Sequence, residues 1–335
     1  MLWNEVALAL NPIEASWQRR QPLNYLLLPL SALFCTVVVL RRRLYRWGWL
    51  KSQRIECPVI IVGNITVGGT GKTPFIIWLA QKLTEWGYRP GIITRGYGGQ
   101  SETWPCEVTA DATAQQVGDE AILLKRHAEC PVFAGPERPL VAQQLLSNYP
   151  CDVILSDDGM QHYALQRDLE IAVVDGKRRF GNGYCLPAGP LRETRKRLQQ
   201  VDLVIVNGDA AEGEHGMSVI GDMACPVAGG GCKPLSEFAT TAVAAVAGIG
   251  HPERFFNMLE SAGLRVDRHP FADHYEFSPE DLTPFHQKTV LMTEKDAVKC
   301  EQFAQSNHWY VPATASVAMG FEHQLKTKVK RLLDG

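Results

Sequence analysis

Pro58-Val-Ile-Ile-Val-Gly-Asn-Ile-Thr-Val-Gly-Gly-Thr-Gly-Lys-Thr-Pro-Phe-Ile-Ile-Trp-Leu-Ala-Gln-Lys-Leu83 joins an apolar run, a glycine-rich turn and a helical segment. That order is the setting in which a phosphate-binding loop works. Glycines let successive backbone N–H groups turn inward around phosphate oxygens, and the helix N-terminus adds partial positive charge. Thr66, Val67, Gly68, Gly69, Thr70, Gly71, Lys72 and Thr73 form the expected nucleotide cradle. Lys72 would reach the β- and γ-phosphates, and the Thr73 hydroxyl would sit on Mg²⁺. One position departs from the usual spacing: Thr66 stands where the pattern has glycine, with Gly68 and Gly69 following. A glycine-rich turn with a chance Gly-Lys-Thr is the plain alternative, and the flanking strand and helix count against it.

Outward from this loop, short β-branched runs alternate with helical stretches as far as residue 207. Strands are expected at 59–62, 91–94, 132–134, 153–155, 171–174 and 203–206, with helices such as 119–127 and 138–148 between them. This alternation predicts an α/β fold, P-loop NTPase-like, with a mainly parallel sheet and helices on both faces. Residues 208–240 read as a connector. A second, smaller α/β domain follows, opened by the run 241–250 and a helix at 251–262, with strands near 264–268 and at 289–292 and a terminal helix at 321–333. The expected division is 1–50 (membrane-associated segment), 51–235 (kinase-like domain) and 236–335 (C-terminal domain).

Ligands of such sheets bind beyond the carboxyl ends of the strands, so the polar residues there carry the chemistry. Ser156-Asp-Asp-Gly159 ends an apolar strand with two carboxylates suited to holding Mg²⁺ directly or through its waters. Neighbouring residues of a strand face opposite sides, so Asp157 and Asp158 are expected to differ in role. Gly159 turns the chain and returns His162 to the same edge. Val117-Gly-Asp-Glu-Ala121 places Asp119 and Glu120 in a helix's first turn, where capping alone would also favour acids. Arg95 and Tyr97 in Thr94-Arg-Gly-Tyr-Gly-Gly99, Arg138 in Gly135-Pro-Glu-Arg-Pro139, and Arg192 in Pro187-Ala-Gly-Pro-Leu-Arg-Glu193 all follow strands. Guanidinium groups gathered at a sheet edge suit phosphate recognition.

The N-terminus points to a membrane. No formal charge lies between Arg20 and Arg41, and the run ends Leu26-Leu-Leu-Pro-Leu-Ser-Ala-Leu-Phe-Cys-Thr-Val-Val-Val-Leu40. Arg41-Arg-Arg43, Tyr45, Trp47 and Trp49 then read as an interfacial belt. A hydrophobic membrane helix is expected here, with spanning and lying in one leaflet both open and a hydrophobic helix packed on the soluble body as the plain alternative. Residues 1–57 hold eight Lys/Arg against three Glu, so +5, which leaves −7 for the rest of a chain of net charge −2. That balance gives no support for nucleic-acid binding. Nine scattered cysteines without a C-x-x-C pair fit a reducing compartment, with each cysteine a small core hydrophobe.

Taken together, GNITVGGTGKTP, TRGYGG, VGDEA, GPERP, SDDGMQH, PAGPLRE, DHYEF and TEKDAVK, in this order over nearly the whole chain, resemble the tetraacyldisaccharide 4′-kinase family of Gram-negative bacteria. The resemblance implies transfer of the γ-phosphate of ATP, with Mg²⁺, to the 4′-hydroxyl of a membrane-embedded tetraacyldisaccharide 1-phosphate, giving lipid IVA. It implies a location at the cytoplasmic face of the inner membrane, with no obligate protein partner. It assigns Lys72 and Thr73 to triphosphate and metal, Asp157 and Asp158 to the metal's acidic pair, Asp119 to the catalytic aspartate and His274 to its partner histidine. Glu120 is added as a weaker metal candidate; Arg95, Tyr97, Arg138, His162 and Arg192 are candidates for substrate contact. The Asp119–His274 pairing further implies a second domain that closes on the first when substrates bind. A membrane-associated switch ATPase or GTPase is the competing reading, with Asn207 at a strand end as its base-recognition candidate; a lipid-binding scaffold with a degenerate nucleotide site is a third.

Overall fold

The computed structural model describes residues 16–334. Eight strands run in chain order through the first part: β1 (Val59–Gly63), β2 (Pro90–Thr94), β3 (Cys106–Glu107), β4 (Val132–Ala134), β5 (Val153–Asp157), β6 (Leu169–Asp175), β7 (Leu203–Asn207) and β8 (His215–Ile220). Six more form a second sheet: β9 (Met223–Pro226), β10 (Lys233–Pro234), β11 (Ala242–Ala247), β12 (Arg265–Pro270), β13 (Val290–Thr293) and β14 (His308–Val311). The chain then returns to the first sheet with β15 (Thr314–Val317) and the helix Met319–Leu333. The first sheet has the order β15-β8-β7-β6-β1-β5-β2-β4-β3. It is parallel from β8 to β4, with antiparallel strands only at its two edges.

Alternation along β1 sorts its side chains between two cores. Ile60 and Val62 pack with Phe75, Leu79 and Leu83 of the helix Lys72–Glu85, whereas Val59 and Ile61 pack with Val141 and Leu145 of the helix Arg138–Asn148. Burial on both faces is why the strands read as continuous apolar runs. The terminal helix seals the first of these cores, burying Phe321, Leu325 and Val329 completely.

Three expectations are corrected. The N-terminal segment is not a spanning helix. Two pieces, Pro22–Leu26 and Leu28–Arg46, follow one another, and no helix among the described residues is long and apolar enough to cross a membrane. The second piece carries Arg41, Arg42, Arg43 and Arg46 within it. Asn24 donates to Ala188 O at 3.0 Å and Ser31 Oγ to Cys185 O at 2.7 Å, while Phe34 and Cys35 pack against the core behind β1. One face is therefore docked on the body, and Leu26, Leu30, Leu33, Val37 and Leu40 form an exposed apolar stripe on the other. Residues 1–15 of the expected membrane segment lie outside the described residues.

The connector expected at 208–240 holds three strands, β8 to β10. Its alternation is weak because β8 buries only Met217 fully and the two-residue β10 is exposed, leaving few apolar residues to mark them. Finally, Cys225 and Cys232 form a disulfide, so two of the nine cysteines are not simple core fillers. The second sheet runs from Met223 to Val311. The two connections between the sheets, 221–222 and 312–313, run close together: a Cβ added at Gly221 would lie 2.6 Å from Val311 Cγ1.

Candidate active site

The turn after β1 is held from three sides. Thr66 forms an antiparallel bridge with Leu191, Val67 N–H donates to Pro190 O at 2.8 Å, and Arg192 N–H donates to Ile65 O at 2.7 Å. The Pro187–Glu193 segment thus zips onto the loop's entry, where a side chain such as Thr66 can be used. Deeper in, Asn207 Nδ2 donates to Thr70 O at 3.0 Å, and Arg178 donates to Gly69 O at 2.5 Å. Asn64 Nδ2 donates to Thr70 Oγ1 at 3.3 Å. Gly71, at φ +92°, caps the helix Lys72–Glu85, and a Cβ there would collide with the Asn207 amide. Asn207 is thereby spent on the loop, which removes the feature that favoured a base-reading switch protein.

Asp157 and Asp158 end β5 beneath this loop, and their environments separate them. Asp157 is buried, with Thr94 Oγ1 3.4 Å from one carboxylate oxygen and no hydrogen-bond partner on the other. Burial first, and then the nearby Glu120 charge, push its pKa up to about 7 against the pull of Lys72. Asp158 sits at φ +47°, unusual for a non-glycine residue, and aims at cations. Lys72 Nζ lies 3.6 Å away, and Arg192 donates at 2.8 Å. Burial alone would raise its pKa, but Lys72 and Arg192 outweigh it and hold the carboxyl well below the usual range. Two hard oxygen ligands side by side, each with a buried oxygen that accepts no hydrogen bond, fit a Mg²⁺ that takes its remaining ligands from water and phosphate. No group of three or more His, Cys, Asp or Glu forms a closed metal cage among the described residues, as expected for such a shared site.

Asp119 opens the helix Asp119–His127 behind Gly118, at φ +89°, where a Cβ would collide with the Tyr97 carbonyl oxygen. Its Oδ1 accepts from Glu120 N–H at 2.7 Å, and its Oδ2 lies 3.2 Å from His274 Nδ1. His274 has φ +58°, the backbone strain expected where a neighbourhood dictates a side chain's position. Tyr97 packs on its ring at 4.8 Å between centroids. The structure therefore already joins this pair, which was expected to meet only on closure.

Two lysines outside the candidate residues complete the cluster. Lys295 and Lys299 project from the helix Glu294–Cys300, one turn apart. Lys299 Nζ lies 3.7 Å and Lys295 Nζ 4.0 Å from Asp119 Oδ2. Lys295 also reaches Glu120 at 3.2 Å and His274 Nε2 at 3.4 Å. Burial works against both charges here. For Asp119, the His274 hydrogen bond and the lysines overcome it and lower the pKa; for Lys295, Glu120 and Asp119 overcome it and raise the pKa. Buried Asp296 fixes that helix's start, accepting from Gly248 N–H at 2.9 Å and pairing with Lys299 at 3.1 Å. The same helix meets Asp119–His127 again through His127–Glu294 at 2.6 Å and Arg126–Glu301 at 2.5 Å.

The remaining candidates divide. Arg138 is almost wholly buried and donates to Asp157 O at 2.7 Å and Gly135 O at 3.1 Å, so it braces the turn that presents the acids. Burial pulls its pKa down to about 10. His162 lies in the same cationic neighbourhood, where burial and then Arg138 and Arg95 lower its pKa to about 4, leaving it neutral. Arg192 bridges Asp158 and Asn64, and Tyr97 is exposed beside His274.

The sequence model of the family described as tetraacyldisaccharide-1-P 4′-kinase matches residues 23–330. A tetraacyldisaccharide 4′-kinase of Nitrosococcus oceani is 50% identical over 309 residues, covering 92% of this chain and 91% of that protein. One of Methylobacillus flagellatus is 46% identical over 325 residues, covering 96% and 97%. A crystal structure of LpxK from Aquifex aeolicus in complex with ATP is similar at a TM-score of 0.77 and 29% identity, over 93% of this chain and 99% of that one. With the match running from the N-terminal helices to the last turns of the terminal one, the chain belongs to the tetraacyldisaccharide 4′-kinase family.

Proposed function

We infer that Asp119, paired with His274 opposite the Lys72 loop, receives the acceptor hydroxyl in an ATP-dependent lipid kinase. The reaction is that of the family: the γ-phosphate of ATP passes to the 4′-hydroxyl of tetraacyldisaccharide 1-phosphate, and the product is lipid IVA. The observation that carries the residue roles is the 3.2 Å Asp119–His274 contact beside Glu120, whose charge is felt at Asp157, with Asp158 in turn 3.6 Å from Lys72.

Phosphoryl transfer through a loose transition state asks mainly for positioning and charge neutralisation. The glycine loop with Lys72 holds the triphosphate of ATP, and Thr73, Asp157 and Asp158 would hold Mg²⁺. Mg²⁺ held by these residues would supply positive charge to offset the negative charge that develops in the transfer. Lys295 donates to His274 Nε2, which assigns the imidazole's own proton to Nδ1 and aims it at Asp119. Asp119 then stays ionised with a lone pair free for the sugar hydroxyl. Its depressed pKa makes it a weak base, which suffices where the hydroxyl loses its proton late.

The enzyme is membrane-associated, as its lipid acceptor requires. Its seat at the cytoplasmic face of the inner membrane is supported by the need for ATP and by the stripe Leu26–Leu40 beside Arg41–Arg46. The test is transfer of label from γ-labelled ATP to the lipid in detergent, for wild type and Asp119→Ala. The variant should lose at least about a hundredfold in turnover while its ATP affinity changes less than about twofold. Near-wild-type turnover in Asp119→Ala would remove Asp119 from the reaction, and label appearing only as free phosphate would restore the switch reading.

A further inference from the structure

The helix Asp119–His127 is gripped at both ends by the helix Glu294–Cys300, which follows β13 of the second sheet. At its start, Asp119 and Glu120 meet Lys295 and Lys299. At its last turn, His127 Nε2 lies 2.6 Å from Glu294 Oε1, and Arg126 pairs with Glu301 at 2.5 Å. Glu294 and Lys295 are neighbours in one helical turn, so consecutive residues hold the two ends of the helix that carries Asp119. From Asp119 to His127 that helix rises about 12 Å. Val298, one turn beyond Glu294, packs into the same core as Leu124. Two grips so far apart, with an apolar contact in the same interface, fix the approach of one helix to the other.

One of these contacts titrates near neutral pH. Glu294 is 6% exposed and His127 36%, so the carboxylate depends on the imidazole for its charge partner. Around them, Arg126 of the same helix opposes a charge on His127 and is itself taken up by Glu301. The helix Lys72–Glu85 meets the turn through neutral Gln81, which donates to His127 O at 2.9 Å. Tyr310 of β14 lies close enough to Glu294 for burial, and then that charge, to raise its pKa and keep it neutral. The Glu294 hydrogen bond outweighs burial and Arg126 and raises the His127 pKa above the ordinary 6.5. A cation gained on docking favours the docked arrangement fully below that value, and the advantage is lost as pH rises through the raised one. Neutral imidazole can still donate from Nε2, and Arg126–Glu301 keeps its charges, so deprotonation weakens the grip without releasing it.

We propose that His127 and Glu294 are positioning residues for phosphoryl transfer: their ion pair holds the helix Glu294–Cys300 against the helix of Asp119 and so places Lys295 beside Asp119, Glu120 and His274. The assignment rests on the transfer roles given above. The pair acts on the carboxylate only through Lys295, the next residue after Glu294, which lies 4.0 Å from Asp119, 3.2 Å from Glu120 and 3.4 Å from His274 Nε2. Turnover then carries a dependence on pH that belongs to a histidine at the far end of the helix from the reacting groups.

The test is kcat/KM for tetraacyldisaccharide 1-phosphate in mixed micelles, with the full chain, ATP and Mg²⁺, between about pH 6 and about pH 9. His127→Gln and Glu294→Gln each remove the charge pair and leave a side chain that can hydrogen-bond. Each should lose about fivefold against wild type at the acid end and converge on wild type at the alkaline end. His127→Lys keeps a cation throughout, and should match wild type at the acid end and exceed it about fivefold at the alkaline end. Taking the ratio of variant to wild type at each pH cancels groups common to both, Asp157 among them. A loss that is the same at every pH would make the pair a structural contact and overturn the proposal. So would a His127→Lys profile that falls with wild type. The two neutralising variants sit on different helices, so a folding defect in one, seen in its thermal melt, leaves the other to decide. Near-wild-type turnover in Asp119→Ala would overturn the transfer roles, and this proposal with them, whatever the ratios show.

Discussion

Asp157 and Asp158 show how far one peptide bond can separate two carboxylates. Asp158 answers to Lys72 and Arg192, while Asp157 faces burial with one oxygen open. A carboxyl whose folded pKa is raised above the unfolded value near 3.9 favours the native state less as pH rises from there to about 7. In EDTA, Asp157→Asn should therefore raise the melting temperature at pH 8, by more than it does at pH 5, while abolishing lipid labelling. An equal shift at both pH values would show that Asp157 is not held protonated. Asp119 has the opposite sign. Its depressed pKa keeps it ionised below the usual carboxylate range, and loss of activity on acidification through its protonation sets in only there. Removing the first of the groups that lower it, in His274→Ala, should move the acid limb of kcat/KM to higher pH as well as reduce turnover. Much of this was legible: strand-end acids and a Gly-Lys-Thr turn announce themselves locally. The partnership of Asp119 with His274 was legible only through the family resemblance, since their meeting depends on how two sheets pack. Lys295 and Lys299 stood in the family stretch TEKDAVK but received no role, since one-turn spacing on a helix is common to solvated faces, and Asn207 looked like a ligand-reading residue because its true acceptor, Thr70 O, is a backbone atom.

At the scale of elements, the apolar alternation of doubly buried strands placed β1, β2, β4, β5, β6 and β7 well. It failed at β8 to β10, short strands in which apolar side chains are too few to set a period. The N-terminal helix is the instructive error. Hydropathy along the chain registers both faces of a helix at once and so cannot separate a bilayer span from a helix that docks one face and exposes the other. Ser31 and Asn24, both buried against the 185–188 loop, are the residues that decide it. Leu33 and Val37 are 61% and 55% exposed, so Leu33→Glu with Val37→Glu should leave the melting curve unchanged. Binding to vesicles should fall by tenfold or more, at about 1.5–3 kcal/mol for each large apolar side chain withdrawn from lipid. Unchanged co-sedimentation would assign the stripe to some other partner.

For the whole molecule, the chain's last strand and helix belong to the body that its first strands began. Phe321 lies completely buried against Phe75 of the phosphate-loop helix, 5.9 Å between ring centroids. Phe321→Ala should cost about 3–5 kcal/mol and lower the denaturant midpoint reported by bound ATP, although no part of Phe321 approaches the nucleotide loop. A midpoint unchanged by that substitution would mean the terminal helix is an appendage rather than a part of this core. The return also shapes how the two sheets are tied. Both crossings are two residues long, and they leave from paired neighbours, since Ile220 of β8 stands opposite Thr314 of β15. Two short tethers side by side act as one hinge pin: they permit swing about a single axis and resist sliding and twist. The Asp119–His274 gap then has one coordinate that opens it, so the width of the catalytic cleft is set at Gly221 and Val311, where the pin is packed, as much as at the residues that face the substrate.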